Sequence, residues 1–441
     1  MNTPIFDFVS KYNAQKSTRF HMPGHKGVRF LGCEDIDITE INGADVLYSP
    51  NGIIAESEEN ATALFSTAHT FYSAEGSSLS IKAMLGLIKS YFGDDLKILA
   101  GRNAHKAFIY ACALLDIEPY WMHDKNSNNF CSCILTHEDV EKYLKQTHAN
   151  AVYITSPDYL GNVSDIKAIA QVCDKYGALL LVDNAHGAYL KFLKEDMHPI
   201  SLGAHLCCDS AHKTLPVLTG GGYLHISKKA DAYFCDHARS MLSLFASTSP
   251  SYLILQSLDL CNKYIADGFA ELLDKSVRTT LDIKRKLNDL GFTICKSEPL
   301  KIVIDANKFG YGGSDIADIL SQNGVECEFA DNQYIVLMIS PQNTEQDFAK
   351  LLEVLQKIKR LNPIEQKISV AFKVERVLSI RNAVFSNKET VEVCDSLGRV
   401  CASPMISCPP AIPIVISGEK ITAQAIKAFV DYGIEKIEVV K

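Results

Sequence analysis

The chain has 441 residues, of which 47% are hydrophobic and 22% charged, an ordinary globular composition with enough material for two or three domains. Forty-four basic side chains against 52 acidic ones leave a net charge of −8 with no long basic run, which excludes nucleic acid or an anionic membrane surface as the expected main partner. The opening residues, MNTPIFDFVSKYNAQKS, lack an apolar signal core, and no apolar run of about 18 residues follows, so a cytoplasmic protein without membrane spans is expected. The 14 cysteines contain no C-x-x-C pair, and neither a structural zinc nor a disulfide is expected of them.

In chain order, residues 1–20 read as a short helix and a polar connector. His21-Met-Pro-Gly-His-Lys-Gly27 follows as a rigid turn, because Pro23 and Gly24 disfavour a helix there. Residues 35–53 carry turn signals at Asn42-Gly43 and Pro50-Asn51-Gly52 and read as an extended arm. A helix is expected over Glu56 to Phe65, then a β-like run from Thr70 that leads to Gly76-Ser77-Ser78 and a helix over Leu79 to Tyr91. A Gly-Ser-Ser turn before a helix is a phosphate cradle in outline, since free N–H groups and the helix dipole attract an anion.

Strands and helices then alternate. Strands are expected at Leu96 to Ala100, Ala151 to Thr155, Ala178 to Val182, Leu206 to Cys208 and Gly222 to Ser227. Continuous apolar strands with intervening helices describe a mostly parallel sheet covered on both faces, an α/β fold. In such sheets ligands collect at the carboxyl ends of the strands, where His105, Asp158, Asp183, His186, His212 and Lys213 all fall. Helices are expected from Ala230 to about Leu290, interrupted at Ser247 to Ser251. A smaller α/β layer follows, with strands at 292–306, 325–330 and 334–340 and helices at 314–322 and 344–359. The expected division is an arm (1–55), a large domain (56–290), a small α/β domain (291–362) and a C-terminal α+β domain (363–441).

An acid thirty residues before a lysine, both at strand ends, suggests pyridoxal 5'-phosphate. That cofactor needs a lysine for its Schiff base, for which Lys213 fits, and an anion beside its ring nitrogen, for which Asp183 fits. Gly76, Ser77 and Ser78 offer the phosphate cradle, with Ser210 and His212 as helpers, and His105 is a flat group to cover the ring. Taken singly, Asp183 is equally well read as a helix cap and His105 or His186 as a core histidine; together the ordinary readings require five coincidences in order.

Here the sequence resembles the ornithine/lysine/arginine decarboxylases, fold-type I pyridoxal-phosphate enzymes. The resemblance is carried by His-x-Pro-Gly-His-Lys (21–26), Thr-Glu-Ile-x-Gly-x-Asp (39–45), Arg-Asn-x-His-Lys (102–106) and Thr-Ser-Pro-x-Tyr (155–159). Val-Asp-x-Ala-His-Gly (182–187), Ser-Ala-His-Lys-Thr-Leu-Pro (210–216), Ser-Thr-Ser-Pro-Ser-Tyr (247–252) and Pro-Pro-x-Ile-Pro with a following Gly-Glu (409–419) complete it. It implies that Lys213 carries the cofactor, Asp183 pairs with the ring nitrogen, His105 stacks on the ring and His186 sits beside it. Ser77, Ser78, Ser210 and His212 would surround the phosphate, and Thr248 would reach the phosphate of a partner subunit.

The implied reaction is decarboxylation of arginine, lysine or ornithine to the corresponding amine, with Lys213 or His212 returning a proton to the carbon. A basic substrate needs a distal anion; Glu419 is the candidate by resemblance and Asp45 a weaker one. The alternative is an aminotransferase or another amino-acid lyase of the same fold, although no motif here assigns the arginine that aminotransferases use for the substrate carboxylate. Three departures from the family pattern stand out: Glu75 where asparagine is usual, Cys408 where tyrosine is usual and Ala411 where glycine is usual. The last two fall near the expected substrate end. Because the His-x-Pro-Gly-His segment begins at His21, the N-terminal wing of longer members is not expected; a homodimer with shared sites, or a dimer of dimers, is expected rather than a decamer.

Overall fold

The apolar runs between residues 69 and 226 become strands β1 (His69–Ser73), β2 (Ile98–Gly101), β3 (Tyr120–Met122), β4 (Ala151–Thr155), β5 (Leu179–Asp183), β6 (Leu206–Asp209) and β7 (Gly222–Ile226). The computed structural model describes every residue except 125–128, 366–373 and 407–411. The chain forms two units: the first holds Met1–Lys97, His148–Ile154 and Ile166–Ala270, the second Ile98–Thr147, Thr155–Asp165 and Glu271–Lys441.

In the first unit the strands lie in the order β1-β7-β6-β5-β4. Strands β5 and β6 are parallel, whereas β7 runs antiparallel to both β6 and β1. The reversal at β7 has a simple cause. A parallel return is usually made through a full crossover helix, and between β6 and β7 the chain holds only the one-turn helix Ala211–Thr214, too short to carry it back along a strand. The middle strands are apolar on both faces: Leu180, Leu181, Val182, Leu206, Cys207 and Cys208 have no exposed surface. Burial of each such aliphatic side chain is worth about 1.5–3 kcal/mol.

Helices α1 (Pro4–Ala14), α2 (Ile53–Phe65) and α3 (Gly76–Phe92) belong to the same unit. Helix α3 is buried along nearly its whole length, from Leu79 through Ile88. Gly86 lets the helix Ala232–Phe245 approach it closely, because a Cβ there would lie 3.1 Å from the Met241 sulfur. The helix starts at Gly76, three residues before the expected Leu79, so Gly76, Ser77 and Ser78 form its first turn rather than a loop ahead of it. Residues 35–52 are turns without regular structure, as the turn signals predict, and α2 begins at Ile53.

In the second unit β2 and β3 pair in parallel, and α4 (Lys106–Leu115) follows β2. Strands β8 (Thr293–Cys295), β9 (Lys301–Asp305), β10 (Phe329–Ala330) and β11 (Tyr334–Met338) form an antiparallel sheet in the order β10-β11-β9-β8. The single strand expected over 292–306 is thus two, divided around Pro299, which has no N–H to give a ladder. The C-terminal segment adds the pairs β12 (Lys388–Glu392) with β15 (Lys436–Val440) and β13 (Met405–Ile406) with β14 (Pro413–Val415). Its core gathers Val415, Ile421, Phe429, Ile437 and Val439. Among the described residues no helix is long and apolar enough to cross a membrane.

Candidate active site

Of the site residues expected from the sequence, His105, Asp158 and Glu419 lie in the second unit and the others in the first. Strand β5 ends on Asp183, which is 2% exposed. Its Oδ2 accepts from the Tyr153 hydroxyl at 3.1 Å and its Oδ1 from the Ala185 amide at 3.2 Å. Burial pushes its pKa up, and the positive charge of Lys213 acts in the opposite sense. Lys213 stands on the one-turn helix after β6, with its Nζ 3.1 Å from His186 Nε2. Three of the expected residues, an acid, an imidazole and an amine, thus share one place at the carboxyl ends of β5 and β6.

The anion cradle has a glycine frame. Gly76 has φ +66°, and its N–H donates to the Gly220 carbonyl at 2.6 Å. A Cβ on Gly222 would lie 2.8 Å from the Asp209 carbonyl oxygen, 3.0 Å from the Gly76 carbonyl carbon and 3.2 Å from the Ser77 nitrogen. These are backbone atoms that cannot swing aside, so only glycine lets β7 pass the start of α3. Ser210 caps the one-turn helix in position, yet its hydroxyl donates instead to Ser77 Oγ at 2.8 Å. His212 Nδ1 is 2.9 Å from the Gly221 carbonyl oxygen, which accepts its proton, and its ring edge faces Gly76, where a Cβ would stand 3.6 Å from Cε1. Ser78 is half-buried on the first turn of α3. The leading N–H groups of an α-helix have no partner within the helix, so this end of the 17-residue α3 presents donors.

Thr248 is exposed in the segment 247–251. That segment explains Glu75: its carboxylate accepts from the Ser247 amide at 2.6 Å and so tethers the segment to the start of α3. Asp45, expected as a second-rank substrate anion, is used elsewhere. Its two oxygens accept from the amides of Val46, Asn51, Gly52, Ile54 and Ala55 at 2.8–3.4 Å, which makes it the cap of α2.

In the second unit His105 is the N-cap of α4, and its Nδ1 accepts from the Ala107 amide at 3.1 Å. Arg102, three residues earlier, donates to the Pro413 and Ile414 carbonyls at 3.0 and 3.1 Å and to Glu419 Oε2 at 3.1 Å. The same Glu419 oxygen accepts from the Ile416 amide at 2.7 Å, so the expected distal anion is held on one side by a buried ion pair. Asp158 is 3% exposed and bound by Asn162 through both its oxygens, a turn-forming role; burial raises its pKa. Cys408 and Ala411 lie outside the described residues.

The sequence reading missed Tyr153, Asn184 and Asp209. Tyr153 sits among the apolar residues of β4 and Asp209 ends an apolar strand, but nothing in their spacing shows what they touch.

A mostly parallel sheet with a buried acid and a lysine at adjacent strand ends is the fold of type I pyridoxal-phosphate enzymes. Lysine decarboxylase A from Pseudomonas aeruginosa superposes with a TM-score of 0.82 at 16% identity, over 99% of this chain and 80% of that one. The chain itself belongs to the Orn/Lys/Arg decarboxylase family: the major domain of that family matches residues 3–303 and its C-terminal domain residues 366–437. Membership makes it a pyridoxal-phosphate-dependent decarboxylase. It is 28% identical to the arginine decarboxylase of Bacillus anthracis over 452 residues, covering 95% of this chain and 91% of that protein. Against the arginine decarboxylase of Bacillus subtilis it is 28% identical over 456 residues, covering 96% and 92%.

Proposed function

We propose that this protein decarboxylates a basic amino acid, arginine, lysine or ornithine, at a site built on Lys213 and Asp183. The observation that carries the reading is the buried Asp183 carboxylate beside the Lys213 and His186 pair, next to a glycine-framed anion cradle. This donor set fits pyridoxal phosphate. A buried carboxylate suits a protonated ring nitrogen, and an amine suits an aldehyde. Hydroxyls and helix N–H groups at the start of α3 suit a phosphate. When bound, the cofactor supplies an electron sink for breaking the bond to the carboxylate.

The chain's own residues do the rest. Lys213 would carry the cofactor through its Nζ, and His186, 3.1 Å away, would keep that nitrogen oriented. Asp183, which has no exposed surface to speak of, would hold a proton on the ring nitrogen, with the Tyr153 hydroxyl fixing its Oδ2. Ser77, Ser78, Ser210 and His212 would bind the phosphate, and His105 would cover the ring. Lys213 or His212 would return a proton to the substrate carbon after carbon dioxide leaves. Glu419, held by Arg102 on one oxygen, is proposed to meet the distal cation of the substrate. Asp45 is not proposed for this task, since α2 and the preceding turn take up its carboxylate.

Thr248 is proposed to complete the phosphate site of a second copy, which makes a homodimer the active form. Its exposure, and the tether of its segment to Glu75, support that reading. The test is release of labelled carbon dioxide from carboxyl-labelled arginine, lysine and ornithine. Turnover of one of them is expected; no release from any, with pyridoxal phosphate saturating, would overturn the assignment.

A further inference from the structure

Behind the proposed cofactor site lies a fully buried group of charged and polar side chains that the mechanism does not use. Asp209, at the end of β6, has no exposed surface, and neither do His198, His225 or Asn184. Its Oδ2 accepts from His198 Nε2 and from His225 Nε2, each at 3.1 Å. Its Oδ1 accepts from Asn184 Nδ2 at 2.7 Å. The tautomers follow from the second nitrogen of each ring. His198 Nδ1 accepts from the Ile200 amide at 3.3 Å, which leaves the proton on Nε2. His225 Nδ1 is 2.9 Å from the Thr70 hydroxyl, which itself lies 2.8 Å from that of Thr67; with Thr70 as donor, Nε2 again carries the proton. Two imidazoles and an amide therefore point donors at one carboxylate. They hold it ionised, far below the usual carboxylate range, in spite of complete burial.

Asn184 is the residue next to Asp183. Its N–H donates to the Cys208 carbonyl at 2.9 Å, and its carbonyl accepts from the Gly187 amide at 2.8 Å. Its Oδ1 has no hydrogen-bond partner among the described residues and lies where a Cβ on Gly187 would come within 2.0 Å. The amide thus packs against Gly187, and among the described residues the acceptor on Asp209 determines which end faces it. That turn carries His186 and leaves directly from Asp183, while Asp209 leads directly into Ser210 and Lys213.

We propose that Asp209, clamped between His198 and His225, is a positioning residue that registers the Asp183–Gly187 turn against the Ser210–Lys213 turn through Asn184. The proposal rests on the reading of these two turns as the cofactor site. The carboxylate accepts from His198, His225 and Asn184, and the chain runs from Asp209 to Lys213 and from Asn184 back to Asp183. It acts by fixing the peptide on which each of them stands. In Asp209→Asn the new amide either turns its NH2 to Asn184, a donor against a donor at the 2.7 Å contact, or turns it to His198 and His225, whose Nε2 protons then face a donor, so that the clamp is lost. Either change moves the turn.

The test uses full-length Asp209→Asn and Asn184→Ala proteins. Equilibrium dialysis measures pyridoxal phosphate affinity, and circular dichroism of the bound cofactor reports its orientation. Both variants are expected to bind the cofactor roughly 10- to 100-fold more weakly, in line with a buried donor left unpaired, and to change the dichroism of the cofactor band. Wild-type affinity, within about twofold, together with an unchanged cofactor band in either variant would overturn the proposal, whatever the thermal stability of the apoprotein. If Asp209→Asn does not fold, Asn184→Ala decides by the same criterion, since it deletes the link and leaves the buried charge paired with its two imidazoles. Failure of the underlying site is seen separately: borohydride reduction of the wild-type holoenzyme would then label a lysine other than Lys213.

Discussion

Replacing Asp183 by asparagine separates the charge of the site from its shape. The carboxylate accepts from the Tyr153 hydroxyl at 3.1 Å and from the Ala185 amide at 3.2 Å. An amide of the same size keeps its oxygen toward the Ala185 N–H, which can only donate. It turns its NH2 toward Tyr153, whose hydroxyl can accept. The fold therefore loses a charge and no hydrogen bond. In the apoprotein that charge is a burden, because burial already pushes the Asp183 pKa up. The apoprotein of Asp183→Asn should then unfold at the wild-type temperature or above it. The loss should fall on the cofactor-bound state instead. Removing one member of a buried charge pair costs about 3–5 kcal/mol, which is between two and nearly four powers of ten in an equilibrium or a rate. Cofactor affinity and carbon dioxide release, measured with saturating pyridoxal phosphate, should share that loss. Turnover near the wild-type rate, or a loss explained by apoprotein unfolding alone, would refute the reasoning.

Gly222→Ala should weaken the protein by about 1–3 kcal/mol, as overpacking does, and lower cofactor affinity as well, because the added Cβ meets the start of α3 at 3.0–3.2 Å; unchanged thermal unfolding and cofactor binding would contradict the cradle. Asp259, which accepts from the Ile5 and Phe6 amides at the start of α1, has its carboxyl lifted by burial to about 6. Its folded pKa lies above its unfolded one, so the stability it contributes is complete below about pH 4 and fades as pH rises to about 6, by at most roughly 3 kcal/mol. Denaturant titrations of wild type and Asp259→Asn should converge at low pH and diverge across that window, with the variant gaining relative stability; a difference independent of pH would refute this. Mixing two inactive proteins, Lys213→Ala and Thr248→Trp, and refolding them together should restore part of the activity, since one hybrid site is intact; no recovery in a mixture that forms dimers would rule out the shared site.

Much of the first unit was legible because β5 and β6 are apolar without interruption, as at Leu180-Leu181-Val182, and each turns polar only at its last residue. That made Asp183 and Lys213 conspicuous. The direction of β7 was less so, because it depends on how little helix lies between Asp209 and Gly222 rather than on composition. Pro299 divides the strand expected over 292–306, a break that the sequence reading missed because apolar residues stand on either side of it. Asp45 shows how a local role hides a carboxylate: the turn signal at Asn51-Gly52 and the start of α2 supply the very amides that occupy it. The Asp209 group had no signal at all. His198 and His225 stand 11 and 16 residues from it on different elements, and only the pairing of β6 with β7 and the short helix Pro199–Leu202 bring the three together.

The most direct test of the account is the identity of the lysine that binds the cofactor. Borohydride reduction of the purified holoenzyme, followed by digestion and peptide mass mapping, should find the phosphopyridoxyl group on Lys213 in the peptide that contains Ser210-Ala-His-Lys-Thr. A label on another lysine, or undiminished labelling in Lys213→Ala, would contradict it.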